Sequence, residues 1–305
     1  MHLGLSIEAD YINAAVLQDG GDFVTQIRQP ITDNSAPALL AACVKIVENI
    51  QPALGNTVTI GVAVDGGSGQ PTPPENNSCI NQIDVKANLQ ACLGRAITIA
   101  TPAEALGLYE SHLGAARDAA LSCFLYLDQH VSGSVIFGQR LWRGANRIVG
   151  NWGHMPLAWP VAQELEACEC WCGRKGCLDT YISLAGLESE YRSITRSHLD
   201  IQAIATTADA GDLVASSVLQ LLDDRIGRTT ASIINMFDPE VIVLGGKLAL
   251  LDRIYQNVPR KWPGYLLEKR SKTRLIQAAY MNGEQLGIAI AKGAAYFASD
   301  DAFNK

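Results

Sequence analysis

The sequence contains no apolar run approaching the ~20 residues that a membrane-spanning helix requires, so no membrane segment is expected. It also lacks a basic, apolar leader. The opening stretch, MHLGLSIEADYINAAVL, reaches Glu8 and Asp10 with no basic region in front of them, a poor match to a secretory signal. Positive charge is scarce: 24 Lys and Arg stand against 31 Asp and Glu, a net charge of -7. A nucleic-acid partner needs a basic face to neutralise its phosphates, so direct nucleic-acid binding is not expected. Nor is there a short tandem repeat, or the low hydrophobicity of a disordered chain: 48% of residues are apolar and 18% charged. What remains is a globular, cytoplasmic protein. Its 305 residues suffice for one large domain or two ordinary ones.

The eight cysteines are unevenly spread. Cys43, Cys79, Cys92 and Cys123 are scattered in apolar surroundings and read as buried, reduced thiols. A disulfide framework would be distributed through a smaller, secreted chain. Cys168, Cys170, Cys172 and Cys177 crowd into one stretch and call for another explanation.

Strand composition marks LGLSIEA, YINAAVLQ and DFVTQIRQP, followed by a helix over APALLAACVKIVENI and a buried strand, VTIGVAV. An irregular Gly- and Pro-rich loop follows, from Gly66 to Pro74. Then come a helix from Val85 to Leu93 and the strand ITIAT. From about Leu121 the pattern restarts with LSCFLYLD and SGSVIFGQRLW. A long helix from about Asp212 to Met236, the strands EVIVLGG and LIQAAYM, and a closing helix, LGIAIAKGAAYFA, complete it. The repeated order predicts a two-lobed α/β protein with a ligand cleft. Residues 1–118 with 285–305 form the expected N-terminal lobe, and 119–284 the C-terminal lobe.

Within the run Cys170-Trp171-Cys172-Gly173-Arg174-Lys175-Gly176-Cys177, the two glycines let the backbone turn tightly enough for three thiolates to converge. Zinc takes four nitrogen or sulfur ligands in a tetrahedron. His154, in Gly-His-Met-Pro, is the candidate fourth ligand, and Cys168 is its rival or a spectator. Such a closed site is structural and leaves no position for Lewis-acid chemistry. Part of an iron–sulfur site is the alternative, and the histidine argues against it.

The stretch from Arg143 to Asp179 resembles the signature region of the ROK family of sugar kinases and repressors. The match is carried by Arg143-Gly144-Ala145, by Gly150-Asn151-Trp152-Gly153-His154, and by the Cys-x-Cys-Gly-x-x-Gly-Cys run ending at Leu178-Asp179. A weaker echo is Pro239-Glu240-Val241-Ile242-Val243-Leu244-Gly245-Gly246. The resemblance implies the two-lobed, actin-like (ribonuclease-H-like) sugar-kinase fold. It implies that His154 binds zinc through one ring nitrogen and a sugar hydroxyl through the other. The family's two sugar-binding glutamates fall on Asn151 and Asp179. Gly245 and Gly246 fall on its nucleotide-facing turn. A homodimer is expected on resemblance alone. The family's repressors carry an N-terminal helix-turn-helix, and this sequence opens in a strand.

Three departures separate the chain from the family pattern. The Asp-x-Gly-Gly-Thr phosphate turn becomes Ser6, Glu8, Ala9 and Asp10, placing carboxylates where an anion would sit. The catalytic Asn-Asp-x-Asn becomes Thr101-Pro102-Ala103-Glu104, which reads instead as an N-cap, an N1 proline and the closing Glu of a capping box. Glu104 is left as a weak candidate for a displaced base, beside Asp65 and Asp128. The second phosphate turn becomes Leu127-Asp128-Gln129-His130-Val131-Ser132-Gly133-Ser134, in which His130 reads as a polar loop residue. The expectation is a protein that binds a hexose or N-acylhexosamine-type sugar with phosphotransfer lost or very weak. The alternative is an active ATP-dependent hexose or N-acetylhexosamine kinase with a displaced carboxylate, and only that reading requires Mg-ATP.

Overall fold

The computed structural model describes residues 1–8, 10–33, 35–54, 59–66, 72–73, 83–165, 168–282 and 285–300. It divides into two compact units, one of residues 1–117, 139–141 and 279–305, the other of 118–138 and 142–278. Among the described residues, no helix is long and apolar enough to cross a membrane.

In the first unit, β1 (His2–Ile7), β2 (Tyr11–Leu17), β3 (Phe23–Pro30), β4 (Thr59–Ala63) and β5 (Ile97–Ala100) form a sheet in the order β3-β2-β1-β4-β5. The first three strands pair antiparallel, and β1, β4 and β5 run parallel. Period-two alternation sends Leu3, Leu5, Ile12 and Val16 to one face, where they bury against α1 (Ala36–Leu54) and α2 (Val85–Leu93). The opposite face carries Gly4 and Gly61, and the last helix, α8 (Leu286–Ser299), lies directly on them. A Cβ on Gly4 would stand 1.8 Å from the carbonyl oxygen of Ala291, and one on Gly61 2.0 Å from that of Ala294. Backbone therefore meets backbone here, and any side chain at either position would force the helix off the sheet.

Two expectations from the sequence are corrected by the structure. Cys92 is exposed on α2, whereas Cys43 and Cys123 are buried and desolvation pushes each thiol up to about 12. Cys79 lies outside the described residues, as does most of the Gly- and Pro-rich loop. The segment LIQAAYM is not one strand. Only β10 (Arg274–Gln277) pairs, and residues Ala279–Asn282 coil into a 3-10 turn. There the buried Glu110 carboxylate accepts the N–H groups of Ala279 at 2.9 Å and Tyr280 at 3.2 Å, which a ladder would otherwise claim. Glu110 stands near the end of α3 (Pro102–His112), against which the two-residue strand β8 (Arg140–Leu141) packs.

In the second unit β6 (Leu121–Leu127), β7 (Val131–Phe137), β9 (Val241–Gly245) and β10 run in the order β10-β9-β6-β7. The β6–β7 hairpin is antiparallel and the other pairings are parallel. Helices α4 (Leu184–Thr195), α5 (Ile201–Asp209) and α7 (Asp252–Lys261) pack on α6 (Leu213–Phe237), whose first turn is capped by Asp212 accepting from the N–H of Ala215.

Candidate functional site

The site grows from the β6–β7 hairpin and the irregular chain that follows β8. Trp152 opens a 3-10 turn, Trp152–His154, and is fixed in the core by its indole N–H donating to the Phe124 carbonyl at 2.9 Å. Further along, Glu169 and Lys175 pair across a tight reversal in which Cys170 N–H donates to Arg174 at 2.7 Å. Gly173 and Gly176, at φ 80° and 78°, take the left-handed conformations that this reversal needs. Two backbone bonds of 2.9 Å, Leu157 N–H to Gly176 and Leu178 N–H to Met155, tie the histidine segment to the cysteine segment.

The result gathers His154, Cys170, Cys172 and Cys177 with all their candidate ligand atoms within 4.8 Å of one another. Cys172 Sγ stands 3.7 Å from Cys177 Sγ, and Cys170 Sγ 3.7 Å from His154 Nδ1. Zinc bonds of ~2.3 Å to sulfur and ~2.0 Å to nitrogen give tetrahedron edges of roughly 3.5–3.8 Å, so this donor set fits a closed zinc centre. Cys168 is exposed and stands outside the set. Without a cation, burial and then the neighbouring thiols push Cys177 up to about 12. A bound divalent cation reverses that balance and favours the thiolates. Burial, against the opposing pull of Asp179, holds the His154 ring below its usual pKa and so in the neutral form that ligates metal.

Asp179 is buried behind this cluster, and its carboxylate is engaged within the protein. One oxygen accepts the Val131 N–H at 2.7 Å. The other accepts His130 Nδ1–H at 2.9 Å and the Trp171 indole N–H at 3.1 Å. The loop residue His130 is thus a fixed member of the site, which its position in a polar turn did not reveal. Asn151 is exposed at the entry to the 3-10 turn and makes no capping bond with its side chain.

Of the fifteen residues between His154 and Cys170, those leading up to Leu165 are anchored by a second buried carboxylate, Glu164. One of its oxygens accepts from Arg225 Nε at 2.9 Å and Arg228 at 2.8 Å, and the other from Arg228 at 2.8 Å and the Val161 N–H at 2.9 Å. Arg225 continues to Glu190, and Arg228 also donates to the Trp159 carbonyl at 2.8 Å. Desolvation opposes ionisation of Glu164, but the two guanidinium groups outweigh it and hold the carboxyl at about 2. Sequence reading missed this network, although two arginines three apart on one helix were its visible half.

The remaining candidates have local roles. Glu104 is buried and closes the capping box: its carboxylate accepts the Thr101 N–H at 2.7 Å, and its own N–H donates to the Thr101 hydroxyl at 3.2 Å. Asp128 accepts the N–H groups of Gln129 and Lys247, both at 2.9 Å, so it caps the turn that follows Gly245-Gly246. Asp65 lies in an exposed turn. Ser6 and Asn13 are buried as cross-strand partners, and burial raises the Glu8 pKa against the opposing charge of Arg28. Ala9 lies outside the described residues.

Two mixed sheets flanked by helices, the second beside a Cys/His cluster, define the actin-like fold of ROK sugar kinases. The chain superposes on the ROK hexokinase from Thermus thermophilus with a TM-score of 0.82, at 24% identity over 97% of each chain. It belongs to the ROK family, which it matches over residues 2–300. Among curated relatives, the N-acetylgalactosamine kinase AgaK of a Shewanella species is 27% identical over 272 residues, 88% of each chain. The N-acetyl-D-glucosamine kinase of Vibrio cholerae is 25% identical over 308 residues, 97% of this chain and 99% of that one.

Proposed function

We propose that this protein binds a hexose or N-acylhexosamine-type sugar beside a structural zinc ion held by His154, Cys170, Cys172 and Cys177, and that phosphotransfer is lost or very weak. The N-acetylhexosamine kinases among its relatives support the ligand class. The observation that carries the loss is the capping box at Thr101-Pro102-Ala103-Glu104. A sugar kinase of this class needs a carboxylate there to orient and deprotonate the attacking hydroxyl. Here the position holds Pro102, and the Glu104 carboxylate two residues on accepts the Thr101 N–H. Asn151 and His154 are the proposed sugar contacts, with zinc fixing the imidazole so that its second nitrogen faces the ligand. The protein then acts as a cytoplasmic sugar sensor or partner of other proteins, as a monomer or a homodimer.

The second reading is an active kinase using Mg-ATP at the Gly245-Gly246 turn. Full-length similarity to kinases favours it. Calorimetric titration of the zinc-loaded protein with Mg-ATP, alone and with a panel of hexoses and N-acetylhexosamines, separates the two. Sugar binding with no heat from Mg-ATP and no sugar-dependent ADP release is expected. Micromolar Mg-ATP binding with sugar-dependent ADP release overturns the loss of phosphotransfer.

A further inference from the structure

We infer that the second unit carries a further binding site, apart from the Cys/His cluster, for a phosphorylated small molecule rich in hydroxyls, of the sugar-phosphate class. The inference does not depend on the sugar-binding reading above.

The site is a groove of about 860 Å³, formed where α6 gives way to β9 and where the chain enters β10. It lies at the end of β9 remote from Gly245-Gly246. One wall follows from a local sequence pattern. Arg270, Lys272 and Arg274 are exposed, while Thr273 is buried and Ser271 half-buried. This is the period-two alternation of an extended chain, so the three cations share one side. The residues between them fix the wall. Thr273 donates its hydroxyl to the Pro239 carbonyl at 2.7 Å and its N–H to the Ser271 hydroxyl at 3.0 Å. The Arg274 N–H donates to the Glu240 carbonyl at 2.9 Å. All three cations line the groove, and among the described residues none of them is in an ion pair.

Asp238, Glu240 and Glu268 line the same groove. Glu240 accepts the Ala120 N–H at 3.1 Å with one oxygen, and among the described residues Asp238 and Glu268 have no cationic partner. This arrangement selects the ligand. Three clustered cations favour an anion with more than one charge, and two guanidinium groups match phosphate in shape. Three carboxylates in the same groove repel an extended polyanion, which argues against a nucleic-acid strand or an acidic peptide. A carboxylate accepts from hydroxyl groups, so a phosphate carried on a polyol satisfies both sets, whereas free phosphate leaves the acidic one unused. The volume suits a single small ligand, since such pockets span about 300–1,000 Å³.

Calorimetric titration of the full chain with glucose 6-phosphate, N-acetylglucosamine 6-phosphate, glucose and inorganic phosphate tests the assignment. A sugar phosphate is expected to bind about tenfold or more tighter than inorganic phosphate, and to remain bound in excess glucose. The triple variant Arg270→Gln/Lys272→Gln/Arg274→Gln is expected to weaken it about a hundredfold. Asp238→Asn/Glu268→Gln is expected to weaken the sugar phosphate about tenfold while inorganic phosphate binds as before, a readout that does not depend on the triple variant folding. Absence of sugar-phosphate binding by the native chain, unchanged affinity in both variants, or inorganic phosphate binding as tightly as the ester would each overturn the inference. So would displacement of the sugar phosphate by glucose, which would place both in one site. Binding of glucose with no binding of either ester would uphold the sugar reading above and overturn this one.

Discussion

Arg228 donates to both carboxylate oxygens of Glu164 at 2.8 Å, and through this buried pair helix α6 anchors the segment that follows His154. The pair is not a surface ornament, since the Glu164 side chain is 2% exposed and that of Arg228 1%.

Removing one partner leaves an uncompensated buried charge. Glu164→Ala or Arg228→Met is therefore expected to destabilise the protein by about 3–5 kcal/mol, measurable as a lower urea midpoint. The double variant should recover part of the loss.

The same pair sets an acid limit. Glu164 is held at about 2, below its ordinary carboxylate value, so its contribution is fully present above about pH 4.5 and is lost as pH falls toward 2. A melting-temperature profile should decline through this window in the native protein and be flatter in Glu164→Gln.

The cysteine and histidine geometry predicts about one zinc per chain by elemental analysis of the purified protein. Cys172→Ser or Cys177→Ser should lose it, and chelation should lower the melting temperature by several degrees. A ligand at a thousandfold over its dissociation constant stabilises by about 4 kcal/mol. Cys168→Ser should keep its zinc, because Cys168 stands outside the cluster.

At α3, Thr101→Ala should cost about 1 kcal/mol through loss of the cap. Pro102→Asp should fold normally, since an acidic residue suits the first helical turn. ADP-release assays on Pro102→Asp should remain negative while Glu8 and Asp10 are present.

Much of this was legible in the sequence. Alternation of Leu3, Leu5 and Ile12, the Thr-Pro-x-Glu start of α3 and the Cys-x-Cys spacing are local patterns, and local geometry follows from them. What stayed hidden depends on contacts between residues far apart in the chain. His130 meets Asp179 across 49 residues, and Glu164 meets Arg228 across 64. No periodicity links such pairs, so His130 read as a polar loop residue and Glu164 drew no reading at all. Ala279 and Tyr280 failed for a related reason. Their apolar neighbours suggested strand, but a carboxylate from Glu110, 169 and 170 positions earlier, took their N–H groups.

Glu164 gives the segment before Cys170 a root of its own in α6, apart from the Cys/His cluster. Trp159, Val161 and Leu165, which flank that root, are exposed. Substitution of the Val161 or Leu165 side chain therefore leaves the backbone hydrogen bonds that join the histidine and cysteine segments in place, so this rim can be reshaped without disturbing what lies beneath it.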